Sequence, residues 1–389
     1  MSAVKQAARK KSTSFEIELA KNCDAKLMFA VISLLGIGLV MVASSSIEIA
    51  DRATGDPLHY FKRQFVFALM GIFAGFMLTK IRLTYWENSG MAILAFMVIL
   101  LVLVLIPGLG RTVNGSTRWL ALGPFGLQVS EVVKLLLIVY LAGYVVRQGK
   151  QIRESFIGFI KPMMVLIVLF TLLLLEPDFG AAMVLLITAL GMLYLAGVKF
   201  WKFGILLMMS AISMSFVAIS SPYRVERFMA FLNPWSDPFG SGFQLTQSLI
   251  AIGSGAWSGL GLGASVQKLF YLPEAHTDFV FAVIAEELGL IGVTVVLALF
   301  IFLVYRCFAI GKMVEKQGMR FGAQIAYGIG IWLGLQAFIN IGVNTGVLPT
   351  KGLTLPFVSA GGSSLLVACM AVGLITRVYT EGHAKSSRR

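Results

Sequence analysis

Hydrophobic residues in this chain fall in long runs broken only by short polar connections. They do not follow the alternation of a half-buried strand or the narrow stripe of a surface helix. Crossing a bilayer takes about 20 apolar residues. Runs of that kind lie near residues 27–47, 64–79, 90–106, 129–146, 160–175, 180–197, 203–220, 279–305, 322–345 and 358–376. The pattern predicts an all-α integral membrane protein with about ten transmembrane helices between an N-terminal tail at 1–26 and a C-terminal tail at 377–389. The composition agrees: 58% of the 389 residues are hydrophobic, 13% are charged and mean hydropathy is +0.85, which excludes a water-soluble globule.

A formal charge of +13 raises the question of nucleic acid, and its distribution answers it. With both termini cytoplasmic, 22 of the 32 Lys and Arg fall in the inner segments 1–26, 80–89, 147–161, 198–202, 306–321 and 377–389. The inner segments then carry a net +15 and the outer ones none. This is the positive-inside bias of a membrane protein facing anionic lipid, and no nucleic-acid partner is needed. The first apolar run starts only at Leu27, about 21 residues long, so an uncleaved first span is expected rather than a signal peptide. Cys23, Cys307 and Cys369 form an odd set with no disulfide framework, and His59, His276 and His383 have no metal-ligand spacing.

Most connections are short. The exception is the outer (periplasmic) segment 221–278 between spans seven and eight, about 58 residues rich in Gly, Pro, Asn, Ser and aromatics. Short interfacial helices and turns are expected there. Smaller outer segments are 107–128, the turn Glu176-Pro177-Asp178-Phe179-Gly180, and 346–357. Convergence of these four would make an outward-facing site.

Three stretches carry a resemblance. They are Asn114-Gly115-Ser116-Thr117-Arg118-Trp119 with Gln128-Val129-Ser130-Glu131-Val132-Val133-Lys134; Phe231 to Asp237-Pro238 and on to Leu272-Pro273-Glu274-Ala275-His276-Thr277-Asp278-Phe279; and Gly352-Leu353-Thr354-Leu355-Pro356-Phe357 with Ser359-Ala360-Gly361-Gly362-Ser363-Ser364. Together with the ten-span pattern the chain resembles the SEDS family (shape, elongation, division and sporulation), over nearly all residues after 26. Asn233-Pro234-Trp235 and Gln267 to Pro273 are more similar to its division branch than to its elongation branch. The resemblance implies a peptidoglycan glycosyltransferase that polymerises lipid II at the division septum of the bacterial inner membrane. It also implies a class B penicillin-binding transpeptidase and other divisome proteins as partners. A lipid II flippase and the elongation-type polymerase are the alternatives.

That chemistry needs a base for the attacking sugar hydroxyl and cationic help for the departing pyrophosphate. Asp278, where the long outer segment meets the eighth span, is the candidate base, and burial at that boundary would raise its pKa. On spacing alone it is equally an N-cap of that span. Glu131 and Lys134 lie one helical turn apart within the fourth span. They read as a mutually neutralised pair or, by the resemblance, as a pyrophosphate-binding lysine oriented by its glutamate. Arg118 and Lys268, inside the matched signatures, are the preferred phosphate partners, with Arg224 and Arg227 second and His276 beside the base. Glu286 and Glu287 are expected to be structural, Glu176 and Asp178 to shape a turn, and the Gly361-Gly362 pair to allow close helix approach. A divalent cation, Mg or Mn, fits pyrophosphate chemistry, although no dedicated oxygen cage is visible.

Overall fold

The computed structural model describes residues 23–113, 116–122, 125–199, 201–202, 204, 208, 231–240, 242–269, 271–350 and 352–386. Its helices are α1 (Ala25–Thr54), α2 (His59–Lys80), α3 (Leu83–Asn88), α4 (Gly90–Leu105), α5 (Val129–Glu154), α6 (Phe156–Leu175), α7 (Phe179–Leu195), α8 (Phe243–Ser254), α9 (Val280–Lys316), α10 (Arg320–Asn344) and α11 (Gly362–Ser386). Helices α1, α2, α4, α5, α6, α7, α9, α10 and α11 cover nine of the ten expected apolar runs. The tenth, 203–220, lies outside the described residues apart from 204 and 208. Seven of these helices have the length and apolarity to cross a membrane, and α4 and α7 are apolar but shorter, at 16 and 17 residues.

Helix α5 is the centre of the bundle. Its apolar window is 78% buried, against 22–39% for α1, α2, α6 and α9, whose remaining faces are the lipid-facing ones. Around it pack α4, α6, α7 and α10. Helices α2 and α11 meet through small residues: a Cβ on Gly75 would stand 2.6 Å from the Cys369 carbonyl, and one on Gly373 would stand 2.2 Å from the Gly75 carbonyl. Without Cβ atoms the two backbones touch, and dispersion between them replaces the hydrophobic effect that lipid cannot supply. At the start of α11, Gly362 likewise admits the Phe67 ring, which a Cβ would meet at 2.5 Å.

One segment departs from the all-α expectation. Residues 110–128 form an antiparallel meander, β1 (Gly110–Val113), β2 (Ser116–Leu122) and β3 (Phe125–Gln128), with Gly110 opposite Leu120 and Leu120 opposite Leu127. The run Arg118-Trp119-Leu120-Ala121-Leu122 is too short to span and has strand propensity. The sheet therefore forms where the backbone leaves the bundle between α4 and α5.

The eighth expected span is longer than its apolar run and is broken. Gly289 takes φ 62°, ψ −161°, open to glycine alone, and interrupts the hydrogen-bond ladder of α9. Backbone groups freed in a membrane must be paired again. The segment after α8 does this: Leu290 and Ile291 donate to the carbonyls of Ala256 and Trp257, while Leu260 and Gly261 donate to those of Glu286 and Glu287, all at 2.9–3.2 Å. The long outer segment thus bears the short helices expected of it, a 3-10 turn at Pro234–Ser236 and α8, and also docks into the break.

Candidate active site

The sheet, the α6–α7 turn, the N-terminus of α9 and the loop residues 352–361 gather at one end of the bundle. Arg118 on β2 is the hub. Its guanidinium donates to the carbonyls of Pro177 and Glu176 and stands 3.8 Å from the Asp178 carboxylate. Asp178 accepts from Ser130 Oγ at 2.8 Å and from the Ala181 amide at 3.2 Å, and so N-caps α7 as its place in the turn predicts. Glu176 is fully buried, and among the described residues neither carboxyl oxygen has a hydrogen-bond partner. Desolvation, reinforced by Asp178 and opposed by Arg118, pushes its pKa up to about 8, so it is protonated at neutral pH.

Asp278 lies two residues before α9 and is partly buried. Desolvation first, and the Glu274 carboxylate second, raise its pKa to about 7, while Arg118 acts in the opposite direction. It does not cap the helix: the N-cap residue is Phe279, which offers no side-chain bond. Among the described residues nothing donates to its carboxyl. The close neighbour is Gly352, where a Cβ would lie 2.8 Å from Asp278 Oδ2. His276 is buried with its ring centroid 4.7 Å from that of Tyr60, and among the described residues its Nδ1 has no partner. Burial lowers its pKa, so it is neutral at pH 7.

The other expected site residues are placed differently. Lys134 and Glu131 form a buried pair at 2.9 Å, and the ammonium also donates to Gln336 Oε1 at 2.8 Å and lies over the Trp332 ring. With side-chain exposures of 1% and 4% the pair is a mutually neutralised element inside the bundle. Gln336 passes the contact on to the Thr354 carbonyl, two residues from Gly352, so the pair braces the loop that faces Asp278. Lys268, expected with Arg118 as a phosphate partner, is engaged within the protein. Its ammonium donates to Glu287, Ser44 and the Gly263 carbonyl, with its charge neutralised by a carboxylate 2.8 Å away. Its neighbour Glu286 accepts from the amides of Val266 and Gln267 and from Ser265. The two glutamates therefore hold the docked outer segment to α9, the structural role expected of them. Beside this clasp a cavity of about 980 Å³ opens between α1, α2 and residues 262–269, walled by Val40, Phe61, Phe65 and Leu262. Arg224 and Arg227 lie outside the described residues.

Sequence reasoning missed Gln336, Asn340 and Asn344. Asn340 donates to the carbonyls of Asp278 and Leu353 at 2.8 and 2.6 Å, and Asn344 donates to that of Asp278 at 3.0 Å. Their spacing of four in an otherwise apolar span puts them on one helix face, a signal that was available. Among the described residues no group of three or more Asp, Glu, His or Cys side chains stands together to hold a metal ion.

Comparison with known proteins places this arrangement. Residues 25–384 match the FtsW/RodA/SpoVE family profile, described as "Cell cycle protein". The "Probable peptidoglycan glycosyltransferase FtsW" of Thioalkalivibrio sulfidiphilus is 58% identical over 382 residues, covering 98% of this chain and 96% of that one. The protein of the same description from Coxiella burnetii is 51% identical, covering 96% and 99%. Among solved structures, a chain from a study of how a peptidoglycan synthase complex coordinates polymerization and crosslinking superposes with TM-score 0.76 at 28% identity, covering 93% and 98%. The Thermus thermophilus rod shape determining protein RodA superposes with TM-score 0.68 at 27% identity, covering 92% and 96%.

Proposed function

The chain belongs to the SEDS family of cell cycle proteins and is a multi-pass peptidoglycan glycosyltransferase of the inner membrane, and on that premise we propose how its residues act. The acceptor is lipid II and the donor is the growing lipid-linked strand, met at the end of the bundle that carries the sheet and Asp278, which faces the periplasm. Both chain termini are cytoplasmic.

Asp278 takes the proton of the acceptor sugar hydroxyl. The oxygen then attacks the anomeric carbon of the donor, the bond to the lipid pyrophosphate breaks, and a single displacement inverts that carbon. The observation that carries this reading is a carboxyl of pKa about 7 that nothing caps, set in the field of Arg118 at a polar end of an apolar bundle. A base works best with a pKa near the working pH, and burial supplies that value here. Arg118, about a quarter exposed, keeps donors for two phosphate oxygens as the pyrophosphate departs. A divalent ion, Mg or Mn, would take its ligands mainly from the pyrophosphate, because the described residues hold no group of three or more Asp, Glu, His or Cys side chains to cage it. The leaving group's lipid tail stays in the membrane beside the bundle.

A transpeptidase of the class B penicillin-binding kind is the partner, crosslinking the strand as it emerges, in a septal assembly with other divisome proteins. The test is incubation of the purified chain, with and without that transpeptidase, with labelled lipid II. A ladder of glycan strands that disappears in Asp278→Asn is the expected result. Lipid II movement across vesicles without any glycan, in wild type and variant alike, would replace the polymerase reading with a flippase.

A further inference from the structure

Helix α9 begins without a cap of its own. Phe279 holds the N-cap position and contributes no side-chain bond, although an aspartate and a threonine, good capping residues both, stand immediately before it. Thr277 Oγ1 donates to Glu274 Oε2 at 2.7 Å and to the Glu274 carbonyl, so it too is engaged away from the helix. The acceptor comes from another helix. Asn344 Oδ1, at the last turn of α10, accepts from the Ala282 amide at 3.1 Å, an amide it shares with the Phe279 carbonyl. The Nδ2 of the same side chain donates to the Asp278 carbonyl at 3.0 Å and to Asn340. Asn340 donates to the Asp278 carbonyl as well, and to Leu353 beside Gly352. Both asparagines are buried, at 0% and 1% exposure.

We infer that Asn344 and Asn340 are positioning residues: they cap α9 from α10 and hold the Asp278 main chain, leaving the Asp278 carboxyl uncommitted and turned toward Gly352, where substrate is met. The inference rests on Asp278 being the base. The physical point is competition. A carboxylate just ahead of a helix start is a strong acceptor for the first-turn amides, and one so engaged is stabilised in its charged form and turned away from a sugar hydroxyl. Delivering the acceptor from α10 removes that competition. It uses a neutral amide, so no charge is added beside the base. Among the described residues the charged and titratable groups around Asp278 are Glu274 and His276 in the preceding turn, Arg118 on β2, and Glu176 and Asp178 in the α6–α7 turn. The facing stretch of α10 brings only amides.

The experiment compares Asn344→Ala and Asn344→Asp in the full chain with its transpeptidase, measuring glycan synthesis from labelled lipid II across pH 5–9. Size-exclusion monodispersity reports folding. In Asn344→Ala the Ala282 amide, left with only the strained first-turn bond to the Phe279 carbonyl, recruits the Asp278 carboxylate. The acidic limb of the kcat/KM profile then moves to lower pH by about one unit and kcat falls about tenfold or more, with KM for lipid II unchanged. Asn344→Asp keeps the acceptor and the volume but brings a negative charge toward Asp278, and its acidic limb moves the other way, to higher pH. Opposite shifts support the assignment, and the aspartate variant tests it alone if the alanine variant does not fold. Folded variants whose pH profiles coincide with wild type, losing activity only with protein yield, would show a packing role and overturn it while leaving the base intact. Polymerisation by Asp278→Asn would instead remove the base itself, and the positioning role with it.

Discussion

Asp278→Asn is expected to cost the protein its polymerase activity and make it more stable. The wild-type carboxyl titrates near 3.8 when solvated and about 7 in the folded chain, because burial and Glu274 disfavour its charge. The folded state therefore holds the proton more tightly than the unfolded one. Below about pH 4 both states are protonated and the carboxyl costs nothing. Between pH 4 and 7 folding must take up a proton, so stability falls as pH rises, and above 7 the loss is complete. The difference corresponds to at most about 4 kcal/mol, an upper limit because the side chain keeps partial access to water. Asparagine fills the same volume and has no charge to desolvate. The assay is the thermal midpoint of both proteins in detergent at steps from pH 5 to 8.5, alongside the gel ladder from lipid II. The variant is expected to melt progressively higher than wild type as pH rises, with no ladder at any pH. A stability gap independent of pH, or a variant that melts lower at pH 8, would refute the claim that the carboxyl is held in a desolvated setting.

Other outcomes follow from neighbouring contacts. Glu176→Gln removes a second buried carboxyl, one raised to about 8, so its stability gain over wild type should grow from pH 5 to pH 8 and then level off, read from the same melting series. Gly352→Ala places a Cβ 2.8 Å from Asp278 Oδ2 and should push the base off its position, lowering kcat about 100-fold with little change in melting, as steady-state polymerisation would show. Lys134→Met strands Glu131 in the bundle and should cost about 3–5 kcal/mol, while Lys134→Met with Glu131→Leu should recover most of it. Denaturant midpoints check that pair, and full recovery of activity in the double variant would exclude a direct part for Lys134 in binding pyrophosphate.

Much of the architecture is written in the chain one residue after another. Spanning helices need only length and apolarity, which is why nine spans are readable and why their ends, at Asp24 and Gly55 for example, carry ordinary capping residues. Asp278 and Arg118 were singled out by the family resemblance, since on spacing alone Asp278 reads as a helix cap. The meander at 110–128 was not legible, since its strand pattern is short and sits among residues that also suit a loop.

What the sequence alone determined was the class of molecule, a chain of long apolar helices joined by short polar connections, because that depends on local composition and on the bilayer as solvent. Only the tertiary structure decided which polar groups face one another. Lys134 and Lys268 look equally available in a one-dimensional reading, yet each is neutralised by a buried glutamate three or nineteen residues away. Asn340 and Asn344 look like idle polar residues in a span, yet they reach across to a helix whose start lies over sixty residues earlier. Desolvation and hydrogen-bond partnership are properties of a place in three dimensions, and they turn one aspartate among nineteen acidic residues into a carboxyl that titrates near neutrality.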